Sequence, residues 1–101
     1  MPNFTSTLNI DLLERAAEAL RSIAHPIRLA ILALLRNGEQ LSVTEIHTHL
    51  EIEQAVASYH LNNLKNKGVL TSNRIGNKTF YFIKHAEVVK ILEYAEHCFQ
   101  K

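Results

Sequence analysis

The stretch from Ser42 to Phe82 constrains this chain more than any other. It reads, in order, as a short helix, a tight turn, a second helix and a β-hairpin. Ser42 and Glu45 have the spacing of a capping box, in which a hydroxyl and a carboxylate each satisfy a backbone N–H at a helix start. Ile46 and Leu50 follow four apart as inward residues, and Glu51-Ile52-Glu53 is the expected turn. The next helix is expected over 54–66, with Val56, Ala57, His60, Leu61 and Leu64 on its inner face. Its outer face carries Ala55, Ser58, Tyr59, Asn62, Lys65 and Asn66, and Gly68 suits a left-handed cap. Val69 to Phe82 then alternates as two strands about Gly76-Asn77, a two-residue turn with glycine first, which suits type II′. Leu70, Phe80 and Phe82 are expected to point inward.

Charge is segregated along the same stretch. From Gln54 to Ala86 the chain carries Lys65, Lys67, Arg74, Lys78 and Lys84 and no acid, a net +5. Residues 1–53 net −3 and residues 87–101 net −1, so the overall +1 conceals one concentrated basic segment. Phosphate binding requires that kind of local footprint. The polar face of helix 54–66 adds side chains that both donate to and accept from base edges.

The remainder of the chain frames this unit. The length of 101 residues makes one domain. Residues 1–8 are expected as a flexible tail and 9–101 as a single domain for DNA binding and dimerisation. Asn9 can cap a first helix to about Ala24, whose apolar positions Ile10, Leu13, Ala17, Leu20 and Ala24 have heptad-like spacing. His25-Pro26 ends it, since the residue before proline is forced out of the α region, and Pro26 opens the next helix. That second helix has the widest apolar stripe and is expected at the centre of the core. A last helix from about His85 to Gln100 carries Val88, Ile91, Leu92, Ala95 and Phe99 on one stripe. The first and last helices keep more apolar surface than so small a core needs, so a symmetric pair through Leu13, Ala17, Leu20, Val88, Leu92, Ala95 and Phe99 is expected.

Two helices, a turn and a basic hairpin describe a winged helix-turn-helix, mainly α with a β-hairpin wing in the order α-α-α-α-β-β-α. The second helix of such a unit enters the major groove. Gln54, Ala55, Ser58, Tyr59 and Asn62 are the expected base contacts, with Ala55 small enough to meet a thymine methyl. Thr44, Lys65, Lys67, Arg74 and Lys78 are the expected phosphate contacts, which position without reading sequence.

The same residues carry a resemblance. LRSIAHPIRLAILALL, SVTEI, AVASYHLNNLKNKGVL and RIGNKTFYF stand in the order and spacing of the blocks of ArsR/SmtB winged-helix repressors. The resemblance covers the chain from Leu20 to about Phe82. It implies a homodimer through the first and last helices, an inverted-repeat operator and release of DNA by an inducer. Ala55 departs from the Ser or Thr of many members. The family's metal positions are not intact. Its Cys-x-Cys place reads Leu41-Ser42-Val43-Thr44, which excludes soft thiolate coordination there. Its last-helix positions fall on His85, Glu87, Cys98 and Lys101, without the usual histidine pair. His47 and His49 diverge by about 200° on a helix and cannot chelate one ion together.

No metal and no cofactor are therefore expected, and the inducer is unidentified. Enzymatic activity is not expected, because the chain lacks a Gly-rich phosphate loop, converging carboxylates, or a nucleophile with a recognisable base. A winged-helix module for protein contacts is the alternative function; the polar, basic face argues against it. The single Cys98 fits a reducing cytoplasm. No apolar run approaches the roughly 18–20 residues of a membrane span, and no signal peptide is read at the start.

Overall fold

The computed structural model describes residues 9–99. The tail expected over 1–8, Gln100 and the candidate ligand Lys101 lie outside the described residues. The described elements are α1 (Ile10–Ile23), α2 (Pro26–Leu35), β1 (Leu41–Ser42), α3 (Val43–Leu50), α4 (Gln54–Asn66), β2 (Leu70–Ile75), β3 (Lys78–Ile83) and α5 (Glu87–Phe99).

Each helix starts where local chemistry permits. The Asn9 side chain accepts from the Leu12 N–H at 3.1 Å and caps α1. His25 caps α2 with its own ring, Nδ1 accepting from the Ile27 N–H at 3.0 Å, while Pro26 occupies the first helical turn. The capping box of α3 is formed in both directions: Ser42 Oγ accepts from the Glu45 N–H at 3.2 Å, and Glu45 Oε1 accepts from the Ser42 N–H at 3.0 Å. Those bonds hold the Glu45 carboxyl below its usual range, aided by the nearby charges of Lys78 and His49. The last helix begins at Glu87, two residues later than expected.

The core forms around α2. Ile31, Leu32 and Leu35 are fully buried there, and Ile23, Ile46, Leu61, Leu64, Val69, Leu70, Tyr81 and Leu92 close about them. Every major element except β1 contributes a buried hydrophobic side chain, so the helix-turn-helix and the hairpin share one core. Arg36 at the end of α2 joins Glu96 of α5 through two parallel bonds of 2.8 Å. This pair is exposed to solvent, which screens it, so its contribution to stability is small.

The sheet has three strands in the order β1-β3-β2, all antiparallel. Sequence reading anticipates only the hairpin, because a two-residue strand leaves no period to detect. Leu41 pairs with Tyr81 and Ser42 with Phe80, so the residue that caps α3 also ties the hairpin to the helix-turn-helix. The inward alternation is corrected. Leu70 pairs with Ile83 and Ser72 with Tyr81, and residues directly opposite share a face. Tyr81, 8 % exposed, is therefore the buried aromatic of β3, whereas Phe80 and Phe82 lie half-buried on the other face. Aromatic side chains at three consecutive positions leave the register ambiguous in sequence; pairing with β1 and the packing of Leu70 decide it.

Two glycines meet real conformational demands. Gly68 at φ +78 ends α4, where the Gly68 and Val69 N–H groups turn back to Lys65 and Leu64. Gly76 at φ +63 opens the wing turn; Asn77 has no positive φ, as a type II′ turn requires. Among the described residues Glu51, at φ 55, is the one left-handed position that is not a glycine. It sits at the turn between α3 and α4, held by its N–H to the Thr48 carbonyl and by the Ile52 N–H to the His47 carbonyl. A side chain in this region costs roughly 1–2 kcal/mol, and glycine recovers most of it while losing about 0.5–1 kcal/mol to unfolded-state freedom. Glu51→Gly is accordingly expected to stabilise the fold by about 0.5–1 kcal/mol, read as a higher urea midpoint at unchanged m-value; a lower midpoint would show that this turn is unstrained.

Candidate nucleic-acid interface

Helix α4 is divided cleanly between core and surface. Ala57, His60, Leu61 and Leu64 are buried on α2, as the spacing predicts, and Val56 is half-buried. Gln54, Ala55, Asn62 and Lys65 are exposed on the far side, with Tyr59 62 % exposed among them. Ser58 lies between, half-buried. All five candidate base contacts therefore belong to one helix whose opposite face is locked into the core. The half-buried Asn63 donates to the Tyr59 carbonyl at 2.9 Å, whereas Asn62 is exposed. Glu53 stands at the N-cap of α4 without a side-chain bond to it.

What seats this helix is a polar hub at its inner edge, which sequence reading of His25 and His60 as structural residues touches only in part. Arg28 Nε donates to His60 Nδ1 at 3.0 Å, and Arg28 Nη1 donates to the Ser22 carbonyl at 2.8 Å. One guanidinium on α2 thus ties the end of α1 to α4. The His25 ring lies 4.6 Å from that of His60, and Tyr59 meets His60 edge-on at 5.2 Å. Because His60 accepts from Arg28, its imidazole must be neutral, with the proton on Nε2. Burial first, then electrostatic repulsion from the neighbouring His25 and Arg28, holds its pKa below the ordinary histidine range. The signal for Arg28 is its place two residues after Pro26 on the otherwise apolar α2.

The remaining candidates separate. Thr44 is exposed in the first turn of α3. Lys67 is engaged by Glu18 of α1 in an exposed ion pair that also lowers the glutamate's pKa, so Lys67 is not a free cation. That partner is 49 positions away and invisible to local reading. Arg74 and Lys78 are both exposed at the hairpin tip but on opposite faces, since Arg74 pairs with Thr79 and Lys78 with Ile75. They make two cationic edges and not one cationic face.

Helices α1 and α5 leave apolar surface uncovered. Ile10, Leu12, Leu13 and Leu20 of α1 are 45–61 % exposed, and Ile91, Tyr94 and Phe99 of α5 are 42–84 % exposed. Ala17, Val88 and Ala95 are half-buried. Leu92 differs from the rest of that set: at 6 % exposure it belongs to the chain's own core and has little left to offer a partner. Ile10, Leu12, Ile91 and Tyr94 are exposed positions that the expected set omits.

Among the described residues no group of three His, Cys, Asp or Glu side chains converges to hold a metal ion. Cys98 is exposed and free. No helix among the described residues is long and apolar enough to cross a membrane.

A helix-turn-helix presenting a polar, exposed second helix and followed by a basic two-stranded hairpin defines the winged helix-turn-helix class of DNA-binding proteins. Residues 25–72 match the family described as bacterial regulatory protein, arsR family. The transcriptional repressor PagR of Bacillus anthracis is 38 % identical over 81 residues, covering 80 % of this chain and 81 % of the relative. Its crystal structure superposes with a TM-score of 0.78 at 36 % identity, over 86 % of this chain and 99 % of that one. The homodimeric winged helix-turn-helix DNA-binding domain solved in solution from Mycobacterium bovis gives a TM-score of 0.77 at 27 % identity, over 88 % and 82 % of the two chains. An uncharacterised helix-turn-helix regulator of Methanocaldococcus jannaschii is 35 % identical over 80 residues, 79 % of this chain and 90 % of its own length. The chain belongs to the ArsR family of transcriptional regulators.

The hub gives α4 a pH dependence of its own. The folded state keeps His60 neutral, whereas the unfolded chain takes up that proton at about pH 6.5. Its stabilising contribution is therefore complete above that value and is lost as pH falls through the range below it. The depressed carboxylates of Glu18, Glu45 and Glu96 lose theirs at lower pH still. Between pH 7 and pH 5 the urea midpoint of the protein is expected to fall, and to fall less in His60→Asn, which keeps an acceptor for Arg28 but cannot titrate. Equal slopes for the two proteins would remove His60 as the cause.

Proposed function

We propose that this protein acts as a homodimeric repressor that recognises an inverted-repeat operator, with α4 in the major groove and the β2–β3 wing beside it. One observation carries the reading: the outer face of α4 is polar, acid-free and exposed, while its inner face is fixed to the core. A helix whose purpose was protein contact through the same face would display apolar anchors or acids there. Gln54, Ser58, Tyr59 and Asn62 supply hydrogen-bonding groups for base edges, and Ala55 supplies an apolar contact. Lys65, Arg74 and Lys78, with Thr44 at the start of α3, hold phosphates. Lys67 joins them only by leaving Glu18.

Dimerisation follows from the uncovered surface. Ile10, Leu13 and Leu20 of α1 and Ile91, Tyr94 and Phe99 of α5 form an apolar area that an isologous pair would hide, leaving α4 of each subunit outward. The homodimeric Mycobacterium bovis relative supports the same assembly. The inducer is a separate matter. The thiolate and histidine positions through which the family binds metal are not filled in this chain, so metal release of DNA is not part of the reading.

Selection of bound duplexes from genomic DNA is expected to return a two-fold motif, its half-site centres separated by about 10–11 base pairs or a multiple of it. An asymmetric motif, or none, would overturn the dimeric reading. Against the selected operator, Asn62→Ala or Gln54→Ala is expected to lose about 1–3 kcal/mol and to relax preference at particular bases. Lys65→Ala should weaken all sequences alike and reduce the logarithmic salt slope by about 0.9 per subunit, whereas Lys67→Ala should change it much less. A uniform loss from Asn62→Ala would end its role as a base reader.

A further inference from the structure

Of the candidate phosphate contacts, Lys67 alone stands in an ion pair among the described residues. Its partner Glu18 belongs to α1, whereas Lys67 is the C-cap of α4. The Lys67 and Glu18 side chains are 43 % and 54 % exposed, so water reaches both. The hydrogen bond from Lys67, and then its charge, are the main causes that hold the Glu18 carboxyl below its usual range. The pair thus joins the helix expected to meet a second subunit to the helix expected to meet DNA.

Both partners have an alternative. Arg15 and Arg21 stand one turn before and one turn after Glu18 on α1, the spacing at which side chains on a helix meet. Arg21 already acts on the Glu18 carboxylate through its charge. Arg15 lines, together with Glu18, Ala19, Asn66 and Lys67, a cleft of about 350 Å³ between α1 and the end of α4. A carboxylate that leaves Lys67 therefore stays within reach of two guanidinium groups and is not stranded. The lysine carries its ammonium on a flexible four-carbon stem, and a carboxylate and a phosphate are competing acceptors for it. We propose that Glu18 is an internal competitor for DNA: in the free protein its carboxylate occupies Lys67, and an operator phosphate must displace it, returning Glu18 to the arginines of α1. The contact is autoinhibitory, and because Glu18 is carried by α1, the position of that helix sets how many cations α4 offers. An exposed ion pair is weak, so the restraint is a few-fold per subunit and not a block. This inference rests on the DNA-binding reading above and adds to it a control on operator affinity.

The experiment titrates full-length protein with a selected operator duplex over a range of salt. Wild type is compared with Glu18→Gln, Glu18→Ala, Lys67→Gln, the Glu18→Gln/Lys67→Gln double variant and Glu14→Gln. Glu14 is an exposed acid one turn earlier on α1 and makes no ion pair among the described residues, so its variant removes the same charge without freeing Lys67. Glu18→Gln is expected to bind up to about fivefold more tightly per subunit at low salt, the scale of one exposed ion pair. Its logarithmic salt slope steepens by about 0.9 per subunit, because one more cation releases counterions. Glu18→Ala, which also lacks the carboxylate and favours the helix, repeats both changes and excludes a side effect of the new amide. In the Lys67→Gln background the gain from Glu18→Gln disappears, and Glu14→Gln leaves the slope unchanged. An equal gain in the Lys67→Gln background, or from Glu14→Gln, would assign the effect to net charge and overturn the competitor. An unchanged slope in both Glu18 variants would overturn it as well. Failure of wild type and variants alike to bind any duplex would instead overturn the DNA-binding reading itself.

Discussion

The seating of one helix determines what this protein can present to a partner. Ala57, His60, Leu61 and Leu64 of α4 are buried against Ile31, Leu32 and Leu35 of α2, and that burial sets the rotation of α4 about its own axis. A helix with four buried positions on one stripe has little freedom to roll. Its outward residues are therefore as well defined as its core. Apolar burial supplies the energy of this docking, at about 25 cal/mol per Å² removed from water, but not its azimuth in fine detail. The Arg28 guanidinium adds that detail by bonding the His60 ring and the Ser22 carbonyl at once. It is a directional contact at the junction of three helices, and a buried, neutral histidine is the condition on which it holds.

The hairpin depends on the same core through fewer points. Leu70 and Tyr81 enter the cluster, the Lys84 N–H closes the base on the Val69 carbonyl at 3.1 Å, and β1 fastens β3 to the start of α3. From there outward the strands carry only exposed or half-exposed residues, so the tip projects from a firm base. A projecting tip with a cation on each face presents charge on two sides, whereas α4 presents one polar face.

Charge is arranged against this frame. The acids of α1 and α5 reach other elements: Glu18 pairs with Lys67 at the end of α4, and Glu96 with Arg36 at the end of α2. The Glu18–Lys67 pair removes a cation from the count that composition alone assigns to the binding surface. It also links α1 to the end of α4, so that the helix expected to meet a partner subunit is joined to the helix expected to meet DNA.

Most of the architecture was legible because it is written locally. Capping at Asn9, Ser42 and Glu45, the proline at 26, the helical period of 54–66 and the Gly76-Asn77 turn are interactions among residues within a few positions of one another, and the acid-free basic segment is a property of composition. Other features were decided by residues far apart in the chain. Which of three consecutive aromatics on β3 turns inward follows from pairing with β1 and β2; the capture of Lys67 by Glu18 spans 49 positions; the bond from Arg28 to His60 spans 32. The burial of Leu92 and the opposite facing of Arg74 and Lys78 are of the same kind. Sequence by itself determined the elements, their order and the chemistry of the exposed helix, because period and capping act over single turns. Tertiary structure alone decided which cations stay free and which apolar residues stay uncovered, because both depend on what other elements bring within a few ångströms.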